Sequence, residues 1–304
     1  MSSESFLHPL AEVFILPSSI SVVKGTDALE HLNRSLTTDT TQIGLHGKQD
    51  ALLCNANGRI LDRLTLCNLE EQVILVGNHG TGGDTRQQLL QGVPWDQDVA
   101  ILDGDAAIGH LKLVGRAVDR CLVGLGFDPT DIDLQTWTEF GSSLISRSKA
   151  GDSFVTEILV PTAEIDNLVN ILIGNGAEQI DSVRWGELRI RLGILDSNEI
   201  NPSNLPFELG LHELIKLDKG CYPGQEIHAR MDSRGRLART LVRLDCKTPP
   251  TVGKHILPGI GRVVVTSNAE YEGGGVALAI IPNEAKGLNE LVFDDGSTAK
   301  VELI

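Results

Sequence analysis

The segment from Lys219 to Glu226, which reads KGCYPGQE, contains the residues best suited to chemistry. Its two glycines and one proline favour a defined loop over a helix or a strand. Cys221 lies two residues from Lys219. Nearby cations and backbone N–H groups lower the pKa of a thiol, and the thiolate is its reactive form. Cys221 is therefore the best candidate for a nucleophile or a redox thiol, although the residue types also allow a purely structural cysteine.

The five cysteines are odd in number, and no two of them are spaced C-x-x-C. This pattern argues against a disulfide framework and against a four-cysteine zinc site. We expect reduced thiols that are mostly buried as small hydrophobic side chains, with Cys221 as the exception. The eight histidines show neither H-E-x-x-H nor another paired ligand spacing. No metal site is therefore predicted.

The Cys221 loop lies in a basic segment of an acidic protein. Seven basic and three acidic residues fall between Lys216 and Arg243, whereas the whole chain has a formal net charge of −15. Such a segment can attract an anion, but its arginines can equally pair with the surplus acidic residues. The overall negative charge argues against nucleic-acid binding, because phosphate contacts need clustered Lys and Arg. An aromatic content of 4% also argues against a surface for stacking bases.

The elements around this loop are those of a mixed α and β protein. The turn 55–58 separates two predicted strands, residues 51–54 and 60–66. The segment 73–83 predicts a strand, a glycine-rich turn and a helix, and it lacks the spacing of a phosphate-binding loop. Apolar spacing predicts a helix over Thr162–Gly174. Short β-rich runs from Thr240 onward predict a small barrel or sandwich.

The length of 304 residues allows one to three domains, and 41% hydrophobic residues with 22% charged ones is ordinary for a globular protein. No stretch approaches the roughly 20 apolar residues that a membrane helix needs. Residues 1–23 contain acids at Glu4 and Glu12 but no Lys or Arg. No secretory signal is therefore expected, and we expect a cytoplasmic protein.

The KGCYPGQE segment, followed by Ala229-Arg230 and by Gly235-x-x-x-Arg239, resembles the YgfZ-type folate-binding proteins. These proteins, with their mitochondrial relatives in iron–sulfur cluster assembly, are grouped with the aminomethyltransferase (T-protein) of the glycine cleavage system. The eight-residue motif is specific, and the resemblance covers most of the chain. The other matching stretches are residues 23–39, Gly58–Asp62, Arg189–Ile194, Pro206–Leu211 and 261–279.

The resemblance implies an α+β, GcvT-like aminomethyltransferase fold, in which ferredoxin-like modules surround a central channel and a C-terminal β-barrel follows. We therefore expect a folate-binding module at residues 1–145, a second module ending in the KGCYPGQE loop at 146–235, and the barrel at 236–304. The implied cofactor is tetrahydrofolate or a one-carbon derivative of it.

The implied role of a YgfZ-type protein is the assembly or repair of iron–sulfur clusters. Cys221 would then be the essential thiol, and iron–sulfur assembly proteins or client enzymes would be the partners. Arginines near the loop, including Arg236, could pair with the glutamate tail of folate, because arginine binds carboxylates bidentately. The implied cofactor-binding residues are Lys219, Tyr222, Gly224, Gln225, Glu226, Arg230, Arg239, Asp39 and Asp62.

The sequence departs from the T-protein pattern at two positions. The T-protein has paired aspartates in its central hairpin, whereas Asp62 is followed here by Arg63. It also has a glutamate that holds the pterin, and Arg191 stands at the aligned position. A carboxylate accepts hydrogen bonds from pterin N–H groups, but a guanidinium has only donors. Both departures, and the KGC segment that the T-protein lacks, argue against glycine cleavage.

Three functions remain open at this point, and whether the chain is an enzyme remains open with them. The first is a folate-binding factor for iron–sulfur assembly or repair that uses Cys221. The second is a folate-dependent one-carbon transferase, for which Asp39 or Asp62 would supply the carboxylate near the transferred carbon. The third is a scaffold that has lost folate and binds only a protein partner, which the arginine at position 191 favours.

Overall fold

The computed structural model describes residues 6–304. The elements of the first part of the chain are β1 (Ala11–Leu16), β2 (Ser19–Lys24), α1 (Ala28–Ser35), β3 (Lys48–Cys54), β4 (Ile60–Leu69), β5 (Gln72–Gly77), α2 (Gly82–Gln91), β6 (Ala100–Asp103), β7 (Ile108–Gly115) and α3 (Val118–Gly124). The elements of the middle part are β8 (Thr138–Phe140), β9 (Ser143–Ala150), β10 (Ser153–Pro161), α4 (Ile165–Gly174), β11 (Ala177–Gln179), α5 (Ser182–Leu192) and α6 (Gln225–Arg234). The last strands are β12 (Arg239–Cys246), β13 (Gly253–Leu257), β14 (Gly261–Tyr271), β15 (Gly274–Pro282), β16 (Glu290–Val292) and β17 (Thr298–Leu303).

The strands up to β11 divide into two sheets that alternate along the chain. One sheet has five strands in the order β3-β4-β5-β2-β6, and the other has six in the order β11-β1-β7-β10-β9-β8. Neighbouring strands are antiparallel, except that β1 and β11 pair in parallel. The chain therefore starts in the six-stranded sheet, leaves it to build the five-stranded sheet, and returns with β7.

Each of these two sheets carries its helices on one face. Helices α1 and α2 bury Leu32 and Leu89 against the five-stranded sheet, and α3 and α4 bury Leu122 and Leu172 against the six-stranded sheet. The faces without helices meet around the buried Trp137. Because successive side chains of a strand point to opposite faces, every second strand residue points toward this junction.

The last six strands form a curled half-barrel in the order β13-β14-β15-β12-β17-β16. One face of this sheet encloses a core of its own that includes Val242. The other face, with Leu241 and Ile280, packs against Ile190 of α5 and Leu52 of β3. The barrel is thereby attached both to α5 and to the five-stranded sheet.

The structure confirms the mixed α and β class and most of the predicted elements. The predicted hairpin is β3 and β4, each three residues longer than predicted, and the segment 73–83 is a strand, a turn and the start of a helix. The helix predicted over Thr162–Gly174 begins with a 3-10 turn at Thr162–Glu164 and continues as α4. Within residues 6–304, no helix is both long enough and apolar enough to cross a membrane.

One of the two expected domain limits falls inside a strand and the other falls between two elements. The limit at 145/146 falls inside β9, which pairs with both β8 and β10, whereas the limit at 235/236 lies between α6 and β12. The polar stretch 141–152 around the first limit is mostly the strand β9. The expectation for residues 1–23 lies partly outside the described residues, because these begin at residue 6.

Candidate functional site

Lys219 at the start of the Cys221 loop is tied to the end of α1. Its Nζ donates hydrogen bonds to the backbone carbonyls of Asn33, Leu36 and Thr38 at 2.5, 2.7 and 2.7 Å. A cation placed on the free carbonyls after a helix is favourable for the helix dipole. Burial lowers the pKa of Lys219 to about 8, and the nearby Asp39 carboxylate opposes this shift. Lys219 thus attaches the start of the loop to the end of α1.

Gly224 fixes the other end of the loop against the turn between β3 and β4. Its φ is +84°, in the left-handed region that glycine adopts without strain. A Cβ there would lie 2.6 Å from the Cα of Gly58 and 2.7 Å from the carbonyl oxygen of Asn55. The two backbones therefore touch, and helix α6 begins immediately after this contact.

A buried tyrosine and a buried histidine complete this attachment. The Nε2 of His228 lies 2.9 Å from the carbonyl oxygen of Gly58, so that nitrogen is the donor. Its Nδ1 lies 3.4 Å from the hydroxyl of Tyr222. Burial lowers the pKa of His228, which keeps the ring neutral near pH 7. Gln225 adds two long hydrogen bonds from Nε2, to the carbonyls of Leu217 and Lys219.

Cys221 is exposed at the top of this anchored loop, whereas the other cysteines are buried, as the sequence predicted. Burial raises the pKa of the Cys54 and Cys67 thiols to about 12 and that of Cys246 to about 11. Those three thiols remain protonated and unreactive near pH 7. Cys221 is the one thiol of the five that a partner can reach without unfolding the chain.

The arginines of the basic segment largely pair with acidic residues of the chain. Arg239 holds the buried Glu208 in a bidentate pair, with N–O distances of 3.0 and 2.6 Å, and Arg230 pairs with Glu226 one helical turn away, at 2.5 Å. Arg243 similarly pairs with a carboxylate of β17. The alternative interpretation of this segment, internal pairing, therefore holds for these arginines. Arg236 is exposed.

The two aspartates expected near a transferred carbon are both engaged locally. Asp39 accepts hydrogen bonds from the backbone N–H and the hydroxyl of Thr41, at 3.0 and 2.6 Å. Asp62 is fully buried and accepts hydrogen bonds from the hydroxyls of Thr81 and Thr85, at 2.7 and 2.8 Å. Asn78 donates two more to it. Asp62 thus fastens the turn between β5 and α2, and burial raises its pKa.

A cavity of about 940 Å³ lies where the two helix-bearing sheets, α5 and the barrel meet. The described residues that line it include none of the KGCYPGQE loop, and neither Asp39 nor Asp62. Adjacent strand residues face opposite ways, which explains why Arg63 lines the cavity while Asp62 faces α2. The structure therefore places the Cys221 loop and the cavity at different sites. The charged or polar residues that line the cavity include Asp50, Arg63, His110, Lys112, Glu157, Arg191, Arg243 and Asp245.

One wall of the cavity is formed by ion pairs on the inner faces of the two sheets. Arg63 contacts Asp50 at 2.6 Å across neighbouring strands. Glu157 of β10 lies 3.2 Å from the Nζ of Lys48 and 3.8 Å from that of Lys112. Burial alone would raise the pKa of Glu157, but the two lysines lower it well below its usual value. This wall therefore carries both positive and negative charges near pH 7.

The cavity is also lined by Arg191 of α5, one of the two positions that depart from the T-protein pattern. Its guanidinium carbon lies 3.8 Å from the centre of the Tyr271 ring and 5.2 Å from that of Phe6. Its Nε is 3.0 Å from a carboxylate oxygen of Glu187, one helical turn earlier. A cation held over aromatic rings is well stabilised. Arg191 thus contributes a cation and hydrogen-bond donors, but no acceptor, to the lining of the cavity.

The charged wall was not predicted from the sequence, although the sequence contains a signal for it. Lys48 and Asp50 are two residues apart in β3, and His110 and Lys112 are two residues apart in β7. Ionisable residues at every second position of an otherwise apolar strand indicate a polar face that points inward or to solvent. In the described chain, no group of three or more His, Cys, Asp or Glu side chains is placed to hold a metal ion.

The fold is that of the aminomethyltransferases. The chain superposes on the glycine cleavage system aminomethyltransferase T from Bartonella henselae with a TM-score of 0.85 and 21% identity, covering 99% of this chain and 87% of that one. No protein-family model matches the chain.

Sequence comparison gives the finer relationship. The chain is 22% identical over 306 residues to a tRNA-modifying protein YgfZ from Enterobacter sp. (strain 638), covering 97% of this chain and 92% of the relative. It is 26% identical over 279 residues to an aminomethyltransferase from Listeria monocytogenes, covering 86% and 75%. These similarities confirm the resemblance to the YgfZ and aminomethyltransferase family.

Proposed function

We propose that this chain is a cytoplasmic folate-binding protein of the YgfZ type that supports the assembly or repair of iron–sulfur clusters, with Cys221 as its key thiol. The observation that carries the proposal is the presentation of Cys221. Lys219 and Gly224 anchor the loop on either side of an exposed thiol. A thiol held in this way is suited to reach a cluster, or a cysteine, on a protein partner.

The cavity has the size and the chemistry of a folate site. A volume of about 940 Å³ lies within the range of small-molecule pockets. Tyr271 and Trp185 add aromatic rings to its lining, and the carboxylate of Asp245 is an acceptor that could take pterin N–H groups. Bound tetrahydrofolate would supply a carrier for one-carbon units.

The acidic tail of the folate would then meet cations of the cavity. Lys112 and Arg243 line the cavity, whereas Lys219, Arg230 and Arg239 do not. Arg191 places a donor where the T-protein places an acceptor. We therefore propose a pterin orientation that relies on other carboxylates of the cavity.

The Cys221 proposal is tested in cells that lack the endogenous protein, by measuring the activity of iron–sulfur enzymes. Cys221→Ser should fail to restore these activities, because serine keeps the size of the side chain but removes the thiolate. Lys216→Met, an exposed change in the same basic segment, should restore them fully and serves as the control. Full rescue by Cys221→Ser would remove Cys221 from the function.

The folate proposal is tested by calorimetric titration of the purified protein with mono- and polyglutamylated tetrahydrofolate at two salt concentrations. We expect the polyglutamate to bind more tightly and to lose this advantage in salt, because charge pairs are screened. Lys112→Met should weaken binding, whereas Arg236→Met on the exposed segment should not. Absence of binding by every folate form would favour the scaffold function instead.

A transferase function is not favoured by the position of either aspartate. Asp39 and Asp62 lie outside the described lining of the cavity, and Asp62 already accepts hydrogen bonds on both of its oxygens. The proposed partners are therefore folate and iron–sulfur assembly proteins or client enzymes. Nucleic acid is not among them, because the chain has a formal net charge of −15.

A further inference from the structure

A serine, a histidine and a glutamate line the same side of the cavity and form a connected series. The hydroxyl oxygen of Ser18 lies 2.8 Å from the Nδ1 of His110. The Nε2 of His110 lies 3.3 Å from an oxygen of Glu157, without satisfying hydrogen-bond geometry to it. All three residues line the cavity. Neither the fold comparison nor the Cys221 loop assigns a role to them.

The pairing of the six-stranded sheet explains this arrangement. Lys112 of β7 lies directly opposite Glu157 of β10, so these two side chains share a face, and His110 shares it two residues along the strand. Leu16 at the end of β1 lies opposite His110. Ser18 follows in the turn before β2 and thereby reaches the histidine.

The order of the three groups is that of a nucleophile, a base and a group that orients the base. The Glu157 carboxylate favours a proton on the Nε2 of His110, which leaves Nδ1 free to accept the proton of Ser18. Burial lowers the pKa of His110, so its ring is in the neutral, basic form near pH 7. Triad contacts are often loose before a substrate binds.

We propose that Ser18 and His110 are the nucleophile and the general base of an acyl-transfer site in the cavity, and that Glu157 is a positioning residue. The substrate class is an ester or thioester that carries a negative charge. Lys112 supplies a positive charge beside the series, since its Nζ is 3.8 Å from the same glutamate oxygen. Arg191 and Arg243 add further cations to the lining of the cavity. This site requires neither bound folate nor Cys221.

In the first step, the Ser18 oxygen bonds to the acyl carbon while its proton moves to the Nδ1 of His110. The bond to the leaving alcohol or thiol then breaks, and the leaving group takes that proton. In the second step, water gives a proton to His110 and its oxygen bonds to the acyl carbon. The ester bond to Ser18 breaks, the acid leaves, and Ser18 recovers the proton from His110.

The purified full chain is treated with an alkyl fluorophosphonate, and the modified peptide is mapped by mass spectrometry. We expect modification at Ser18, at a rate that falls at least about 100-fold in His110→Gln, the size of effect typical of a general base. Ser197→Ala changes another serine of the same cavity and should leave the rate unchanged. No modification of Ser18 in the native chain, or an equal rate in folded His110→Gln, would overturn the proposal.

The substrate class and the role of Glu157 have separate readouts. The chain should hydrolyse 4-nitrophenyl succinate faster than 4-nitrophenyl acetate, and equal rates would overturn the anionic substrate class. The charged groups that face His110 are Glu157, Lys112 and Lys48. Glu157→Gln should slow the modification of Ser18 and move the midpoint of its pH profile to lower pH, because the imidazolium loses its counter-charge. An unchanged midpoint would overturn the positioning role.

Discussion

The Cys221 loop and the charged wall of the cavity are built in opposite ways. In the loop, residues close together in sequence present one exposed thiol. The side chains of Lys219 and Tyr222 bind the loop to the end of α1 and to His228. In the wall, residues from several strands meet as ion pairs around a cavity. A compact sequence motif can thus consist mainly of residues that hold one reactive side chain in place. A cavity can be lined by residues from several strands that share no sequence motif.

The largest expected effect tests whether the loop depends on close backbone contact. Gly224→Ala should lower the free energy of unfolding by about 3 kcal/mol. The new Cβ would clash with the Cα of Gly58, and the alanine backbone would be strained at this positive φ. Gly235→Ala is the control, since its φ is also positive but nothing lies near its Cβ, and it should cost about 1 kcal/mol. Denaturant unfolding measures both, and equal costs would contradict the close contact.

The anchoring lysine should give the next largest effect. Lys219→Met should lower the free energy of unfolding by about 2 kcal/mol, because three carbonyls at and just beyond the end of α1 lose a charged donor. Lys216→Met, an exposed neighbour, should stay within about 0.5 kcal/mol of the wild type. A stable Lys219→Met variant with weakened folate binding would instead make Lys219 a ligand residue.

Arg239 distinguishes a structural arginine from one that binds a ligand. Arg239→Met should lower the free energy of unfolding by about 1–2 kcal/mol, because it leaves the buried Glu208 with Arg59 at 3.9 Å as its nearest remaining cation. Affinity for folate should not change. Arg236→Met is the exposed control. A loss of folate affinity in the Arg239 variant would connect the basic segment to the ligand and weaken the separation of the two sites.

The ion pairs of the wall should appear in the pH dependence of stability. The pKa of Glu157 is lower in the folded chain than its ordinary value of 4.5. Its carboxylate therefore stabilises the fold above that value and loses this contribution as the pH falls through the folded pKa. Below about pH 4.5, wild-type stability should fall more steeply than that of Glu157→Gln, by about 1.4 kcal/mol per pH unit at most. Chemical unfolding at several pH values measures the two slopes, and equal slopes would mean that the fold does not lower the pKa of Glu157.

The smallest effect on stability should come from the thiol itself. Cys221→Ser should change the free energy of unfolding by less than about 0.5 kcal/mol, because the side chain is exposed. Thermal and denaturant unfolding check this value. A clearly unstable variant would mean that the loss of function in cells reports folding, and the thiol chemistry would have to be tested in another way.

The loop could be predicted from the sequence because its information is local. Cys221, the glycines and the lysine lie within eight residues, and loop composition and thiol chemistry can be evaluated without knowing the fold. The hairpin and the C-terminal strands were predictable for the same reason, since alternation and turn residues are local signals. What the sequence did not reveal was that the side chains of Lys219, Tyr222 and Gln225 point inward and hold the loop.

The cavity could not be predicted, because it depends on pairing between distant strands. Asp50 meets Arg63 across one hairpin, but His110 meets Ser18 from 92 residues away. A shift of register by one residue would turn each of these side chains to the other face of its sheet. Asp62, a predicted cofactor-binding residue, depends on register in the same way, because its side chain accepts a hydrogen bond from Thr85 of α2.

The alternation of the first strands between two sheets has a consequence for how the chain acquires its fold. Strand β1 pairs with β7 and with β11. Because Ala11 of β1 pairs with Ala177 of β11, the six-stranded sheet is complete only after the chain has been made as far as β11. Contacts this distant in sequence raise the entropic cost of closure and slow folding. Strand β1 is thus synthesised early, but it gains its second neighbouring strand late. Until then one edge of β1 is unpaired and can pair wrongly with other chains. A fragment that ends near residue 145 would keep that edge open.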